Sequence, residues 1–132
     1  MIFPSVTIAY ASILALIFAA LSVWVVAGRF QFGVLHGEGA NQDFGRRMRA
    51  HANFAEYVPF ILLLMAALEA QGASHPMLHG LLLPLTIARM AHPFGMLAPA
   101  ASVQERVFRG LSVVVTLAVL ITAALSLLLR LA

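Results

Sequence analysis

Residues 46–65, RRMRAHANFAEYVPFILLLM, decide how this chain must be read. Arginines at 46, 47 and 49 open the stretch, an asparagine and a glutamate follow at 53 and 56, and an unbroken apolar run closes it. Arg46, Arg49, Asn53, Glu56 and Phe60 recur at steps of three or four, so on a helix they share one face. Such a helix is charged where it rises out of a loop and apolar further on. That gradient is expected of a helix entering a bilayer, whose hydrocarbon takes about 20 mostly apolar residues to cross.

The rest of the chain points the same way. Of its 132 residues, 62% are hydrophobic and 10% are charged, against roughly 25% charged in soluble domains. Apolar stretches over roughly residues 5–28, 54–71, 77–97 and 110–129 predict an all-α membrane protein, one domain of four transmembrane helices spanning residues 1–132. The first and fourth stretches hold no charge inside. The middle two are shorter runs that take Glu56 and, on the third, Arg89 and His92 into the membrane. The first 28 residues lack both charge and the basic start of a cleavable signal, so they read as a retained span. With no cysteine, any thiol chemistry must bring its sulfur from outside. All eight basic residues are arginine, suited to planar recognition of carboxylates and phosphates. They are spaced between apolar spans and form no basic stripe, which argues against a nucleic-acid partner.

Charge also predicts orientation. The connection over residues 29–50 holds Arg29, Arg46, Arg47 and Arg49, the one over residues 98–109 holds Arg106 and Arg109, and the turn at 72–76 has no lysine or arginine. The positive-inside rule places the two arginine-rich connections in the cytoplasm and both termini on the other side. Trp24 and Phe30, near the inner end of span one, fit an interfacial aromatic belt. Pro59, Pro84 and Pro93 each remove a backbone donor from a middle span and can bend it. Ala11, Ala15 and Ala19 form a small-residue stripe that permits close packing.

A glutamate at membrane depth is costly unless it is protonated or finds a cation. Spans two and three run in opposite directions, so Glu56 and Arg89 fall at comparable depth and are expected to pair or to share a ligand. Plainer readings exist for each residue. Arg46 and Arg47 also suit a positive-inside anchor, and Asn53, Glu56 and Arg89 also suit a buried network that only fixes helix register. Tyr57 suits an interfacial tyrosine, and His36, His51, His75 and His79 suit loop or interface positions. His92, one turn beyond Arg89, stands between these cases. No metal is expected from these histidines.

The run from Arg49 through Asn53, Glu56 and Tyr57 to Pro59, followed by Ala88-Arg89-Met-Ala-His92, closely resembles the pattern of the MAPEG family, the membrane-associated proteins in eicosanoid and glutathione metabolism. The likeness covers nearly the whole chain and is strongest to the bacterial branch. It implies a homotrimer of four-helix subunits in a bacterial inner membrane, with glutathione bound between subunits toward the cytoplasm. In relatives the motif's arginine, asparagine, glutamate and tyrosine bind the tripeptide, which maps the contacts to Arg49, Asn53, Glu56 and Tyr57. Arg89 and His92 are expected to join them, and Arg29 to add a carboxylate contact. Glutathione has two carboxylates and an ammonium, so arginine can grip the former while Glu56 accepts from the latter.

The resemblance also implies the chemistry. A thiol with the ~8.5 pKa of free cysteine is mostly protonated at neutral pH, and a guanidinium beside it favours thiolate. Relatives use an arginine shortly after span three, which places the catalytic role on Arg106, with Arg109 as rival. The thiolate would attack a lipophilic electrophile or reduce a hydroperoxide arriving from the bilayer lipid, making the protein a glutathione transferase or peroxidase. Two departures bear on this. Ala52 stands where some relatives have a second arginine, and Met96 where characterised enzymes often have a tyrosine. The alternative is a non-catalytic membrane protein of the same fold that binds a lipid or anionic metabolite. A small four-span exporter would need an acidic residue in its first span, and here there is none.

Overall fold

The computed structural model describes residues 3–131, and these are helical with short connections. Helix α1 spans Ser5–Phe32, α2 spans Gln42–Ala70 and α3 spans His75–Met96. A π-helical turn over Glu105–Leu111 then runs directly into α4, Ser112–Leu131. The second helix begins well before the apolar run, so Arg46, Arg47 and Arg49 lie on the helix itself and not in a loop. Asn41 starts it by accepting from the Phe44 amide at 3.0 Å. Helix α1 ends at Gly33, whose φ of 64° is the left-handed conformation that a side chain disfavours. Pro59, Pro84 and Pro93 all sit inside continuous helices.

Each helix buries one row of side chains. Phe54, Val58, Ile61, Met65 and Leu68 face inward from α2, while Leu78, Leu82, Leu85, Arg89 and His92 do so from α3. Both rows advance by steps of four and three, the spacing of a helix packed along its length. Thr7, Leu14, Leu21 and Gly28 form the buried row of α1, and Ser112, Thr116, Val119 and Ala123 that of α4. Helices α2 and α3 occupy the centre. Helix α1 packs on both, α4 packs on both, and α1 and α4 do not touch among the described residues.

Three helical segments are long and apolar enough to cross a membrane, namely Ser5–Phe32, Gln42–Ala70 and Glu105–Arg130. Helix α3, expected as a span from the apolar stretch over roughly residues 77–97, is not among them. Histidines at 75, 79 and 92, Arg89 and its prolines lower its hydropathy. Yet its outer face, with Leu83, Ile87, Met90 and Phe94 all at least half exposed, is apolar. The polar groups Arg89 and His92 are turned into the bundle, at 1% and 3% exposure.

Candidate functional site

The polar centre of the molecule is Arg89. Its place in the buried row of α3 drives the guanidinium between α2 and α4, where one terminal nitrogen donates to Asn53 Oδ1 at 2.7 Å. The other donates to the Ser112 carbonyl at 3.3 Å, and the Nε has no partner within the chain. No carboxylate pairs with this buried cation among the described residues, where the single ion pair joins Arg109 to Glu105 at 2.9 Å.

The expected pairing of Glu56 with Arg89 is therefore not formed. Phe54 and Val58 take the inward positions of α2, and at 3.6 residues per turn this swings Glu56 about 200° away from each. Glu56 is exposed on the outer face of α2, in line with Arg49 one heptad before it and with Phe60 and Leu63. Asn53, at the edge between the two faces, is half-buried and is the motif residue that reaches Arg89. Tyr57 is also half-buried and packs against the apolar core. The sequence thus placed one row of polar residues on one face, and the structure divides them. Asn53 joins Arg89 inside, and Arg49 and Glu56 face out.

The remaining arginines have separate work. Arg29, expected as a carboxylate contact, instead donates to the carbonyls of Val34 at 3.3 Å and Leu35 at 3.0 Å and lies over the Phe44 ring. It folds the chain back at the end of α1. Arg47 sits over Trp24 at 5.0 Å and Phe32 at 5.4 Å and donates to Gln31, so it joins α2 to α1 through cation–π contacts. Arg46 donates to the Ala98 carbonyl at 3.2 Å, tying α2 to the segment after α3. Arg49 keeps its side chain exposed and, with Arg46, lines a polar cavity of about 360 Å³ between the 38–42 segment and the start of α2.

On the π-helical turn, Arg106 and Arg109 are both exposed. Arg109 is engaged by Glu105, whereas Arg106 donates to the Ala101 carbonyl at 3.0 Å and meets no acid among the described residues. The turn lies hard against α3 at Gly95, where a Cβ would come within 2.8 Å of the Phe108 carbonyl carbon and within 2.9 Å of Arg109 Cα. His92 is one turn before this contact and buried. An apolar groove of about 370 Å³ runs between α3 and α4 from Leu83 to Phe108, ending at the turn that carries the two arginines.

Two features were not legible beforehand. His51 stacks on Phe18 with ring centres 4.7 Å apart and contacts Ser22 Oγ at 3.0 Å. The Ser22 proton goes to the Phe18 carbonyl, so His51 Nε2 must be the donor to Ser22. At the other end of the bundle Glu69, 3% exposed, accepts from the amides of Val6 at 2.8 Å and Thr7 at 2.7 Å. It caps the first turn of α1 from another helix. The signal was present in the sequence, since a carboxylate in the last turn of a helix opposes the dipole and needs a donor from elsewhere.

Long apolar helices around an inward-facing arginine define a helical membrane protein with a polar centre. A sequence model of the MAPEG family matches residues 7–129, and the chain belongs to that family. It is similar to the inner membrane protein YecN of Escherichia coli strain K12, at 34% identity over 86 residues. The matched stretch is 65% of this chain and 66% of that protein. The same protein from E. coli O6:H1 matches to the same extent, so the chain spans 66% of the length of these curated relatives. No solved structure matches it.

Proposed function

We propose that this protein is a membrane-embedded glutathione-dependent transferase or peroxidase acting on a lipophilic electrophile or hydroperoxide. All four helices cross the bilayer, the termini are non-cytoplasmic, and the site faces the cytoplasm of a bacterial inner membrane. The observation that carries the reading is the outer face of α2. Arg49 and Glu56 are exposed there, a heptad apart, beside exposed Phe60 and Leu63. Opposite charges open to lipid are expensive, so this face meets another subunit and a charged guest. A homotrimer with glutathione between subunits meets both needs. The tripeptide's carboxylates go to Arg49 and its ammonium to Glu56, with Asn53 and Tyr57 beside them and Arg89 and His92 behind.

Arg106 is the thiolate-stabilising residue in this reading. A guanidinium neutralised by a carboxylate favours a nearby anion less, and Arg109 carries Glu105 while Arg106 does not. The electrophile approaches along the apolar groove between α3 and α4. The test is to add glutathione to detergent-solubilised protein and follow thiolate absorbance. Binding with thiolate formation, diminished in Arg106→Ala and less affected in Arg109→Ala, is expected. Absence of both binding and thiolate in the wild type overturns the reading.

A second reading is favoured by Met96, half-buried at the end of α3. A thioether cannot donate a hydrogen bond to sulfur or substrate. The chain would then be a non-catalytic membrane protein of the same fold holding a lipid or anionic metabolite, and the same assay would show no thiolate and no reaction with any standard electrophile.

A further inference from the structure

We propose that Arg89 is a positioning residue, a rigid strut that sets the π-helical turn bearing Arg106 and Arg109 by the orientation of Asn53. The proposal rests on the glutathione reading for its chemistry and on geometry alone for the coupling. Arg89 is 1% exposed, and its planar fork joins three elements. One terminal nitrogen holds Asn53 of α2 and the other holds the carbonyl of Ser112, the residue at which the π turn becomes α4. The Ser112 hydroxyl donates back into the turn, to the Phe108 carbonyl, and Thr116 donates to the same Ser112 carbonyl at 2.7 Å. The junction is thus pinned by Arg89 at the Ser112 carbonyl and by two hydroxyls along its own helix.

Asn53 is fixed in turn. A guanidinium offers only donors, so the amide oxygen must face Arg89, and the amide nitrogen points away from it. Asn53 therefore presents donors to whatever lies on the other side, the polarity that a carboxylate or carbonyl oxygen requires. A group bound at Asn53 and the arginines on the π turn are connected through one side chain with a fixed span between its two terminal nitrogens. Lysine, with a single ammonium, cannot reproduce that fork. The π turn is otherwise held by its contact with Gly95, where backbone meets backbone and no flexible side chain can absorb a shift. An interrupted helix of this kind is a recurrent device at functional sites.

The experiment has two arms on the purified protein. In the first, hydrogen–deuterium exchange of residues 105–112 is compared among wild type, Asn53→Ala and Arg89→Lys without glutathione. Both variants are expected to exchange about tenfold faster in this turn, with residues 5–21 unchanged. Exchange at the wild-type rate in Asn53→Ala overturns the coupling, whatever the ligand is.

In the second arm, thiolate formation is titrated against pH with saturating glutathione in wild type, Arg89→Lys and Gly95→Ala. Gly95→Ala displaces the turn from the α3 side without touching Asn53 or Arg89. Both variants are expected to move the thiolate profile to higher pH, with about tenfold less thiolate at neutral pH under saturating glutathione. Profiles that superimpose on wild type overturn the positioning role. A wild type that forms no thiolate, alongside a positive first arm, overturns the glutathione reading and leaves the strut standing.

Discussion

Glu69 shows what a single carboxylate does when its own helix gives it no favourable partner. It lies in the last turn of α2, where the carbonyl end of the dipole repels it, and it is buried against the first turn of α1, where the free amides attract it. Removing it leaves the Val6 and Thr7 amides without an acceptor. Glu69→Ala is expected to destabilise the protein by about 2 kcal/mol, the scale of hydrogen bonds to a charged group, and to lower the midpoint of thermal unfolding in detergent. Glutathione affinity should be unchanged, because Glu69 lies at the opposite end of α2 from Arg49 and Glu56. A loss of affinity without loss of stability would contradict the assignment. The need for a donor could be read from the position of Glu69, but its partners were hidden because they are backbone groups more than sixty residues away. The Arg89–Asn53 contact was half visible. Both residues stood out as polar groups in apolar company, but the choice between Asn53 and Glu56 as partner depended on which face of α2 the large apolar residues claimed.

At the scale of the element, the first turns of α2 are set by aromatic packing more than by charge. Phe44 is fully buried, and Gly28 of α1 approaches so closely that an added Cβ would lie 2.9 Å from the Phe44 ring. Arg29 and Arg47 then cover the aromatic cluster with their guanidinium groups. This explains why a stretch expected as a loop is helical. The sequence announced the arginines but not the aromatic residues beneath them, which were scattered over two segments. Phe44→Ala is expected to cost about 3–5 kcal/mol. Gly28→Ala should cost about 1–3 kcal/mol through overpacking, despite the better helix propensity of alanine. Both should weaken glutathione binding through Arg49, which rides on the same turns. Thermal unfolding and ligand titration on the same samples separate the two effects, and a stabilised Gly28→Ala would show that the ring moves aside freely.

For the whole molecule, the place of α3 relative to the bilayer turns on packing more than on mean hydropathy. Taken alone it falls short of the apolar helices, yet its polar side chains Arg89 and His92 are buried and its outer face is hydrocarbon. Hydropathy averaged round a helix counts Arg89 at full cost, whereas lipid meets only the face turned toward it. The average misleads most where a bundle shelters a buried cation. If α3 spans, the 71–74 turn and the 97–104 connection, which flank it, lie on opposite sides of the membrane, with the arginine-rich side cytoplasmic. The absence of cysteine makes this directly measurable, since one introduced thiol is the only one in the chain. Ser74→Cys and Ala100→Cys fall at exposed positions in these connections. In intact spheroplasts, a membrane-impermeant maleimide should label Ser74→Cys and spare Ala100→Cys until the membrane is opened. Equal labelling of both before permeabilisation would place α3 outside the hydrocarbon, remove the membrane from between the two connections, and require a different account of why its outer face is apolar.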